Sequence, residues 1–364
     1  MQGITISSGE EFDSFTHYLY LVLIFMTFLL SSRKRRSVKG YVLFLPLLIL
    51  WIFAVTRDYV GADYEPYYSI FNGAYYGGYA SSNSTIEPGF YYLNVLLNFI
   101  CSYEYFGFMF FHFVILFLTY KSVTYFKNDI SFPYAMLAYM VLWYFLSFNL
   151  LRICLAASIV SYSIRYLLEK RYWMYFFIIL LTFNIHMSSI LMVIPAFLYI
   201  VYQRYPKITY IGLGILFIII NGSIDIITQY IGIERYQDYL EMESGTGIGL
   251  NLIFTYLPFI FWLWLGKKYV NKQLWELCLV FTIFAFIVDF SGYRIIFLGR
   301  LRCYAVVPFI IYLPVLIMAL QKAPRWIYVN NCIAIFLYLI VKYYLFLPQL
   351  YWADEIMPYK SLIL

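Results

Sequence analysis

The sequence carries little charge. Asp, Glu, Lys and Arg make up only 12% of its 364 residues, whereas a soluble domain carries about 25%. Hydrophobic residues account for 63% and aromatic residues for 23%. This shortage of charge excludes a soluble globular protein, because a surface that faces water cannot be built from such a composition.

Cysteine is also scarce, and the few cysteines stand apart from one another. None of them forms a CxxC pair or has the Cys/His spacing of a zinc site. We therefore interpret them as small hydrophobic residues, and we expect neither a metal site nor a cofactor. They are Cys101, Cys154, Cys278, Cys303 and Cys332.

The N-terminal stretch lacks the basic residues that open a signal peptide. It carries Glu10, Glu11 and Asp13 instead, so the first apolar run is expected to remain in the mature protein. The net charge of +6 does not indicate nucleic-acid binding, because the basic residues are spread between apolar runs and fit a membrane topology better.

Long apolar runs dominate the rest of the chain. Many are close to the roughly 20 residues that cross a hydrocarbon core as a helix. The sequence therefore predicts an all-α, polytopic membrane protein of about 12 transmembrane helices, forming a single transmembrane domain over residues 1–364. The predicted spans lie near residues 17–32, 40–56, 104–125, 131–148, 150–168, 171–186, 187–202, 208–222, 248–266, 273–290, 302–320 and 325–346.

The connections between these runs alternate between lysine-rich and lysine-poor. Lysine-rich loops face the cytoplasm in membrane proteins, so both termini and the lysine-poor loops are predicted to lie outside. The outward segments include two large loops, at 57–103 and at 223–248. The apolar run from Phe90 to Ile100 would reverse the pattern if it spanned the membrane. We expect it to be an amphipathic juxtamembrane helix lying at the outer interface.

The basic residues predicted to lie outside are mostly arginine. Arginine binds phosphate with a two-pronged fork and stays charged in a partly dry site, so a phosphate-bearing ligand is indicated. The alternative for each arginine is contact with lipid headgroups or a pair with a loop acid. The arginines are Arg57, Arg152, Arg235, Arg294, Arg300 and Arg302, and the lysines are Lys342 and Lys360.

The first outward loop places two carboxylates, Asp63 and Glu87, in the same segment as Arg57. Either carboxylate could be the general base that deprotonates a sugar hydroxyl, with arginines stabilising a diphosphate leaving group. The alternative is helix capping or a salt bridge. His186, at an outward helix end, is a third candidate catalytic residue, although histidines in such places often only pack.

Tyrosine is abundant in the same loop, with nine between residues 57 and 92. Tyrosine offers a flat apolar face and a polar tip, which suits sugar rings, but it is equally common in the interfacial belt of membrane proteins. Tyr64, Tyr67 and Tyr68 are the candidate sugar-binding residues.

Several short elements, taken in order, resemble the EpsG family of Wzy-type polysaccharide polymerases. The chain has the pattern R-x-x-x-G-x-D-Y from Arg57 to Tyr64, although Ala62 stands where a small hydroxyl residue is expected. The further elements are Glu87-Pro88-Gly89-Phe90, Arg152 with Ala156-Ala157-Ser158, Tyr166-Leu167, His186-Met187-Ser188-Ser189, Glu234 to Tyr239, Arg300 with Leu313-Pro314, and Pro358-Tyr359.

This resemblance implies a GT-C-like fold and an enzyme that acts at the periplasmic face of the bacterial inner membrane. It implies transfer of a growing glycan from undecaprenyl diphosphate onto a lipid-linked repeat unit, as in O-antigen, capsule or exopolysaccharide assembly. Donor and acceptor would both be undecaprenyl-diphosphate-linked oligosaccharides within membrane lipid, and a chain-length-regulating co-polymerase would be a partner. The alternatives are a flippase for lipid-linked oligosaccharides, an O-antigen ligase and a membrane acyltransferase.

Overall fold

The computed structural model describes residues 14–32, 41–81, 86–126, 128–222, 250–292, 301–305, 307–352 and 355–362. The secondary structure of these residues is helical, apart from one isolated antiparallel bridge between Arg57 and Ser361. The predicted all-α class is therefore confirmed. Five helices among the described residues are long and apolar enough to cross a membrane, and further apolar helices are shorter. The chain is thus a multi-pass membrane protein, while its exact number of spans and its likeness to GT-C enzymes stay predictions.

The helix bounds follow the apolar runs closely. The α-helices are α1 (Ser14–Ser31), α2 (Tyr41–Val55), α3 (Tyr64–Ser81), α4 (Pro88–Ile100), α5 (Phe106–Tyr125), α6 (Phe132–Tyr139), α7 (Leu146–Asn149), α8 (Leu151–Leu168), α9 (Tyr172–Phe183), α10 (Val193–Tyr202), α11 (Pro206–Gly222), α12 (Leu250–Gly266), α13 (Lys272–Gly292), α14 (Arg302–Ala305), α15 (Val307–Ala319) and α16 (Arg325–Trp352). A π-helical segment (Met140–Tyr144) joins α6 to α7, and 3₁₀ turns occupy Met187–Met192 and Leu320–Lys322.

Helix α8 lies at the centre of the bundle. It is the most buried of the five long apolar helices and packs on α5 and α9. Its run Ala156-Ala157-Ser158 is fully buried, and such small side chains let neighbouring helices approach closely within a membrane. All five cysteines are free, and Cys154 lies buried in α8.

The outside of the bundle is rich in exposed apolar side chains. Phe15, Leu29, Ile218, Trp264 and Trp326 are each more than half exposed. A soluble protein rarely exposes this much apolar surface, whereas a lipid-facing surface requires it.

The basic connections meet at one end of the bundle, which we call the lysine end. The connections there include residues 128–131, 169–171, 203–205, 267–271 and 320–324. A cavity of about 860 Å³ opens at this end between Asp129, Asn271 and Lys322. The connections at 56–63, 101–105, 150 and 184–186 lie at the opposite end, which we call the site end.

Helices α3 and α4 pack against each other at the site end. Pro88 begins α4, where its missing N–H is harmless. Phe90, Asn94 and Leu97 form the buried stripe of α4, while Tyr92 and Phe99 are exposed. The predicted short helix therefore exists, and its interfacial location stays a prediction. Helix α3 has no counterpart in the sequence interpretation, which gave this loop a single helix. The second large loop, 223–248, lies outside the described residues.

Candidate functional site

An ion pair between Arg152 and Glu87 lies at the centre of the site end. The Arg152 Nη1 atom donates to Glu87 Oε2 at 2.7 Å. The two side chains are 16% and 12% exposed, respectively. Arg152 is in the first turn of α8, just after Leu150, the residue between α7 and α8. Glu87 directly precedes α4. These chain breaks bring the two residues together although 65 positions separate them.

Glu87 also joins this pair to the turn that follows α9. Its other carboxylate oxygen, Oε1, accepts from the backbone N–H of Met187 at 3.1 Å. Nearby, the Phe90 N–H donates to the carbonyl of Asn184 at 3.1 Å. A Cβ atom on Gly89 would lie 2.7 Å from that same carbonyl oxygen, so only glycine allows this approach.

His186 lies in the turn held by Glu87 and contacts Ser188. Its Nδ1 accepts from the Ser188 N–H at 3.3 Å and is 2.7 Å from Ser188 Oγ. In the neutral ring the proton is therefore on Nε2. Ser188 Oγ is in turn 3.3 Å from the hydroxyl of Tyr304, which is 0% exposed. Tyr304 is a site residue that the sequence interpretation missed, because no local pattern marks it.

The loop from Arg57 to Asp63 packs against the break between α7 and α8. The Asp63 N–H donates to Asn149 Oδ1 at 2.8 Å. Gly61 has φ of 106°, and a Cβ there would be 2.6 Å from the Phe148 carbonyl oxygen. Both requirements explain glycine at this position. The half-buried Asp63 carboxylate interacts electrostatically with Arg152.

The three candidate tyrosines occupy different places. Tyr67 is buried, and its ring centroid is 5.9 Å from the Arg152 guanidinium carbon. Its hydroxyl oxygen accepts from the backbone N–H of Arg152 at 3.4 Å. Tyr68 donates to Glu104 Oε2 at 2.5 Å, and this hydrogen bond raises the pKa of Tyr68 to about 12. Tyr64 is also buried, but its ring stacks on Phe108.

We call Asp63, Tyr67, Glu87, Arg152 and His186 the Arg152 cluster.

Arg57 is enclosed in a separate group, the Arg57 box, formed with Tyr64, Phe108, His112 and Phe148. Its guanidinium carbon is 5.7, 5.1 and 4.7 Å from the ring centroids of Tyr64, Phe108 and Phe148. Arg57 is 1% exposed. Burial lowers its pKa to about 10, so the guanidinium stays charged near neutral pH.

His112 fixes one end of this guanidinium. Arg57 Nη1 donates to His112 Nε2 at 2.8 Å, and His112 Nδ1 is 2.9 Å from the Phe108 carbonyl oxygen. Since arginine only donates, His112 is neutral with its proton on Nδ1. Nε and Nη2 of Arg57 have no hydrogen-bond partner among the residues that the structure describes. This burial favours a role for Arg57 in holding the loop, and its predicted diphosphate contact stays a prediction.

Of the remaining predicted arginines, the structure describes only the backbone of Arg302. The backbone of Arg302 begins α14, which packs on α8 near Tyr304. The side chain of Arg302 and the residues Arg235, Arg294 and Arg300 lie outside the described part of the chain. Their proposed phosphate contacts therefore stay predictions.

The family comparison covers most of the chain. The model of the EpsG family matches residues 40–361, a range that contains the Arg152 cluster and the Arg57 box. No curated protein and no solved structure matches the chain.

Proposed function

Since the chain belongs to the EpsG family, a membership that indicates a polysaccharide polymerase-type function, we propose that it is a glycosyltransferase of the bacterial inner membrane. It transfers a growing glycan from undecaprenyl diphosphate onto the terminal sugar of a lipid-linked repeat unit. The reaction takes place at the periplasmic face, which corresponds to the site end of the bundle. O-antigen or a related polysaccharide is the product.

The observation that carries this proposal is the Arg152 cluster. It combines a partly exposed arginine with a nearby carboxylate and a tyrosine ring at the lysine-poor end of a membrane bundle. The positive charge of an arginine stabilises a diphosphate leaving group, and a base removes the proton of the attacking sugar hydroxyl. The cluster offers both within one small region.

The two carboxylates have different surroundings, which supports different roles. Both oxygens of Glu87 are engaged, one with Arg152 and one with the Met187 N–H. Glu87 therefore holds Arg152 in position, and accepting a proton would break its ion pair. Asp63 is held through its backbone N–H, and its carboxylate interacts with the charge of Arg152, beside which the diphosphate would leave, so we assign the carboxylate of Asp63 as the base.

In the proposed reaction, the glycan moves from undecaprenyl diphosphate to the acceptor hydroxyl. Asp63 takes the proton from the acceptor hydroxyl, whose oxygen forms a bond to the anomeric carbon of the donor glycan. The bond from that carbon to the phosphate oxygen breaks, and undecaprenyl diphosphate leaves with the electron pair. Arg152 stabilises the added negative charge, and His186 donates to the same group through Nε2–H. Arg294, Arg300, Arg302 and Arg235 are further proposed diphosphate contacts, and Tyr67 and Tyr68 contact sugar.

Reconstitution tests this function directly. Purified protein in lipid bilayers is supplied with undecaprenyl-diphosphate-linked repeat units, and the products are separated on a gel. We expect a ladder with one-repeat spacing and release of undecaprenyl diphosphate, without any nucleotide sugar. Unchanged single units would overturn the proposal. Single units moved across the bilayer would indicate a flippase, and transfer only to an added lipid A acceptor would indicate a ligase.

A chain-length-regulating co-polymerase is the proposed protein partner. The reconstituted ladder should shift towards a narrower length distribution when such a partner is added. A distribution that does not respond would argue against that partnership while leaving the polymerase reaction intact.

A further inference from the structure

The chain returns to the site end after α16 and pairs with the loop that precedes α3. Residues 355–362 run antiparallel to residues 56–61, with Arg57 opposite Ser361. Three backbone hydrogen bonds join the two segments: Leu362 N to Thr56 O at 2.7 Å, Asp58 N to Lys360 O at 3.0 Å, and Gly61 N to Glu355 O at 2.9 Å. We call residues 355–362 the C-terminal strap.

Tyr359 anchors this strap to the bundle. Its ring stacks on Phe53 in α2 with 4.2 Å between centroids and 16° between planes. Its hydroxyl donates to the Phe53 carbonyl at 2.8 Å and lies 3.2 Å from Thr56 Oγ1. The Tyr359 N–H donates to Thr16 Oγ1 at 2.9 Å. Tyr359 thus joins the strap to α1, to α2 and to the loop that follows α2.

Neighbouring strap residues are also built into the core. Ile356 and Met357 are buried, and the Ile356 carbonyl accepts from the hydroxyl of Tyr20 in α1 at 2.5 Å. Burial of apolar side chains together with satisfied backbone groups distinguishes a packed segment from a frayed tail.

The loop from Thr56 to Asp63 is therefore held on two sides. The strap binds it through backbone hydrogen bonds at Thr56, Asp58 and Gly61. On the other side, Gly61 packs on Phe148, and the Asp63 N–H bonds to Asn149. The position of the Asp63 carboxylate depends on both supports, because only Ala62 separates Asp63 from the last strap contact at Gly61.

We propose that the C-terminal strap positions the Asp63 base for catalysis, with Tyr359 as its anchoring residue. This inference rests on the proposed polymerase function. Tyr359 is a positioning residue, because its contacts are with Phe53, Thr56 and Thr16 in the protein. A base must be placed within a fraction of an ångström of its productive position, so loosening the loop slows the chemical step more than it weakens substrate binding.

The test compares strap variants in the reconstituted assay. Tyr359→Ala removes the stacking and the hydroxyl bonds, and we expect kcat to fall about tenfold or more, while KM for the lipid-linked unit stays within about threefold. A milder variant, Tyr359→Phe with Thr16→Val, keeps the stacking and should lower kcat about fivefold to tenfold. Tyr205→Ala, which removes an exposed tyrosine at the lysine end, is the matched control and should be neutral.

The dependence of rate on pH separates positioning from simple destabilisation. The acid limb of kcat against pH reports protonation of the base, and we expect it to move in both strap variants because the surroundings of Asp63 change. Protein that is merely less stable would show fewer active molecules with an unmoved acid limb, which would overturn the proposal. If Tyr359→Ala fails to insert, the milder variant decides.

The failures of the two proposals are distinguishable. A wild-type protein that forms no ladder refutes the polymerase function itself. A wild-type ladder together with unchanged kcat and an unchanged acid limb in both strap variants refutes only the positioning role of the strap.

Discussion

Two arginines at the same end of the bundle have opposite surroundings. Arg57 is 1% exposed and lies among three aromatic rings and a neutral histidine, with no carboxylate partner among the described residues. The Arg152 side chain is 16% exposed and pairs with Glu87. Burying a cation costs free energy unless the protein supplies partners for its charge and its N–H groups, whereas a partly exposed cation can bind an anionic ligand. These surroundings favour a structural role for Arg57 and agree with the proposed substrate contact of Arg152.

The largest expected effect comes from Asp63, the proposed base in the Arg152 cluster. Asp63→Asn preserves the size of the side chain and its backbone bond to Asn149 but cannot accept a proton. We expect kcat for ladder formation to fall about 10²-fold to 10⁴-fold. Asp58→Asn, on the same loop, is the matched control and should change kcat less than about twofold. Equal losses in the two variants would remove the distinction between them.

Replacing Arg152 should have the next largest effect. Arg152→Ala removes the proposed diphosphate contact and leaves Glu87 with an unpaired charge, so we expect kcat/KM to fall about 100-fold. Arg152→Lys keeps the charge but loses the planar fork, and about a tenfold loss is expected. Steady-state rates in bilayers measure both. Arg171→Ala, at the lysine end, should leave the rate unchanged, and a full rate in Arg152→Ala would contradict the assignment.

Glu87→Gln tests whether this carboxylate positions Arg152 or acts as a base. The amide oxygen can still accept from the Met187 N–H, but the ion pair is gone. We expect KM to rise about tenfold with little change in kcat, because a hydrogen bond to a charged group contributes about 1.5–3 kcal/mol. A loss dominated by kcat, as large as that of Asp63→Asn, would instead make Glu87 the base.

Arg57→Lys should have the smallest effect on turnover and a clear effect on stability. The point charge of lysine cannot lie over three rings and reach His112 as the planar guanidinium does. We expect about 2 kcal/mol of stability to be lost, seen as a lower thermal unfolding midpoint, while KM of the folded protein changes less than about twofold. A large rise in KM with an unchanged midpoint would place Arg57 in the substrate site.

The helical architecture was predictable because one physical signal dominates it. Apolar runs long enough to span a bilayer have few alternatives to helix, and the predicted ends of the run at 150–168 differ from α8 (Leu151–Leu168) by a single residue. The exception is α3 (Tyr64–Ser81), a helix rich in tyrosine and glycine whose apolar content is too low to stand out.

The candidate site was predictable in its members but not in its pairing. Asp63, Glu87 and Arg152 are polar residues at lysine-poor helix ends, which is enough to predict that they lie on the same side of the membrane. The contact of Glu87 with Arg152, and the enclosure of Arg57 by residues of α3, α5 and α7, depend on how distant helices pack. Neither composition nor spacing carries that information, and Tyr304, Asn149 and His112 were missed for the same reason.

Binding of undecaprenyl diphosphate to matched lysine variants tests the division of roles most directly. Its affinity is measured by titration calorimetry for the wild-type protein, Arg152→Lys and Arg57→Lys in the same detergent. We expect Arg152→Lys to weaken binding about tenfold, while the affinity of Arg57→Lys stays within about twofold of wild type. Binding that is weakened by Arg57→Lys and unaffected by Arg152→Lys would contradict this division of roles.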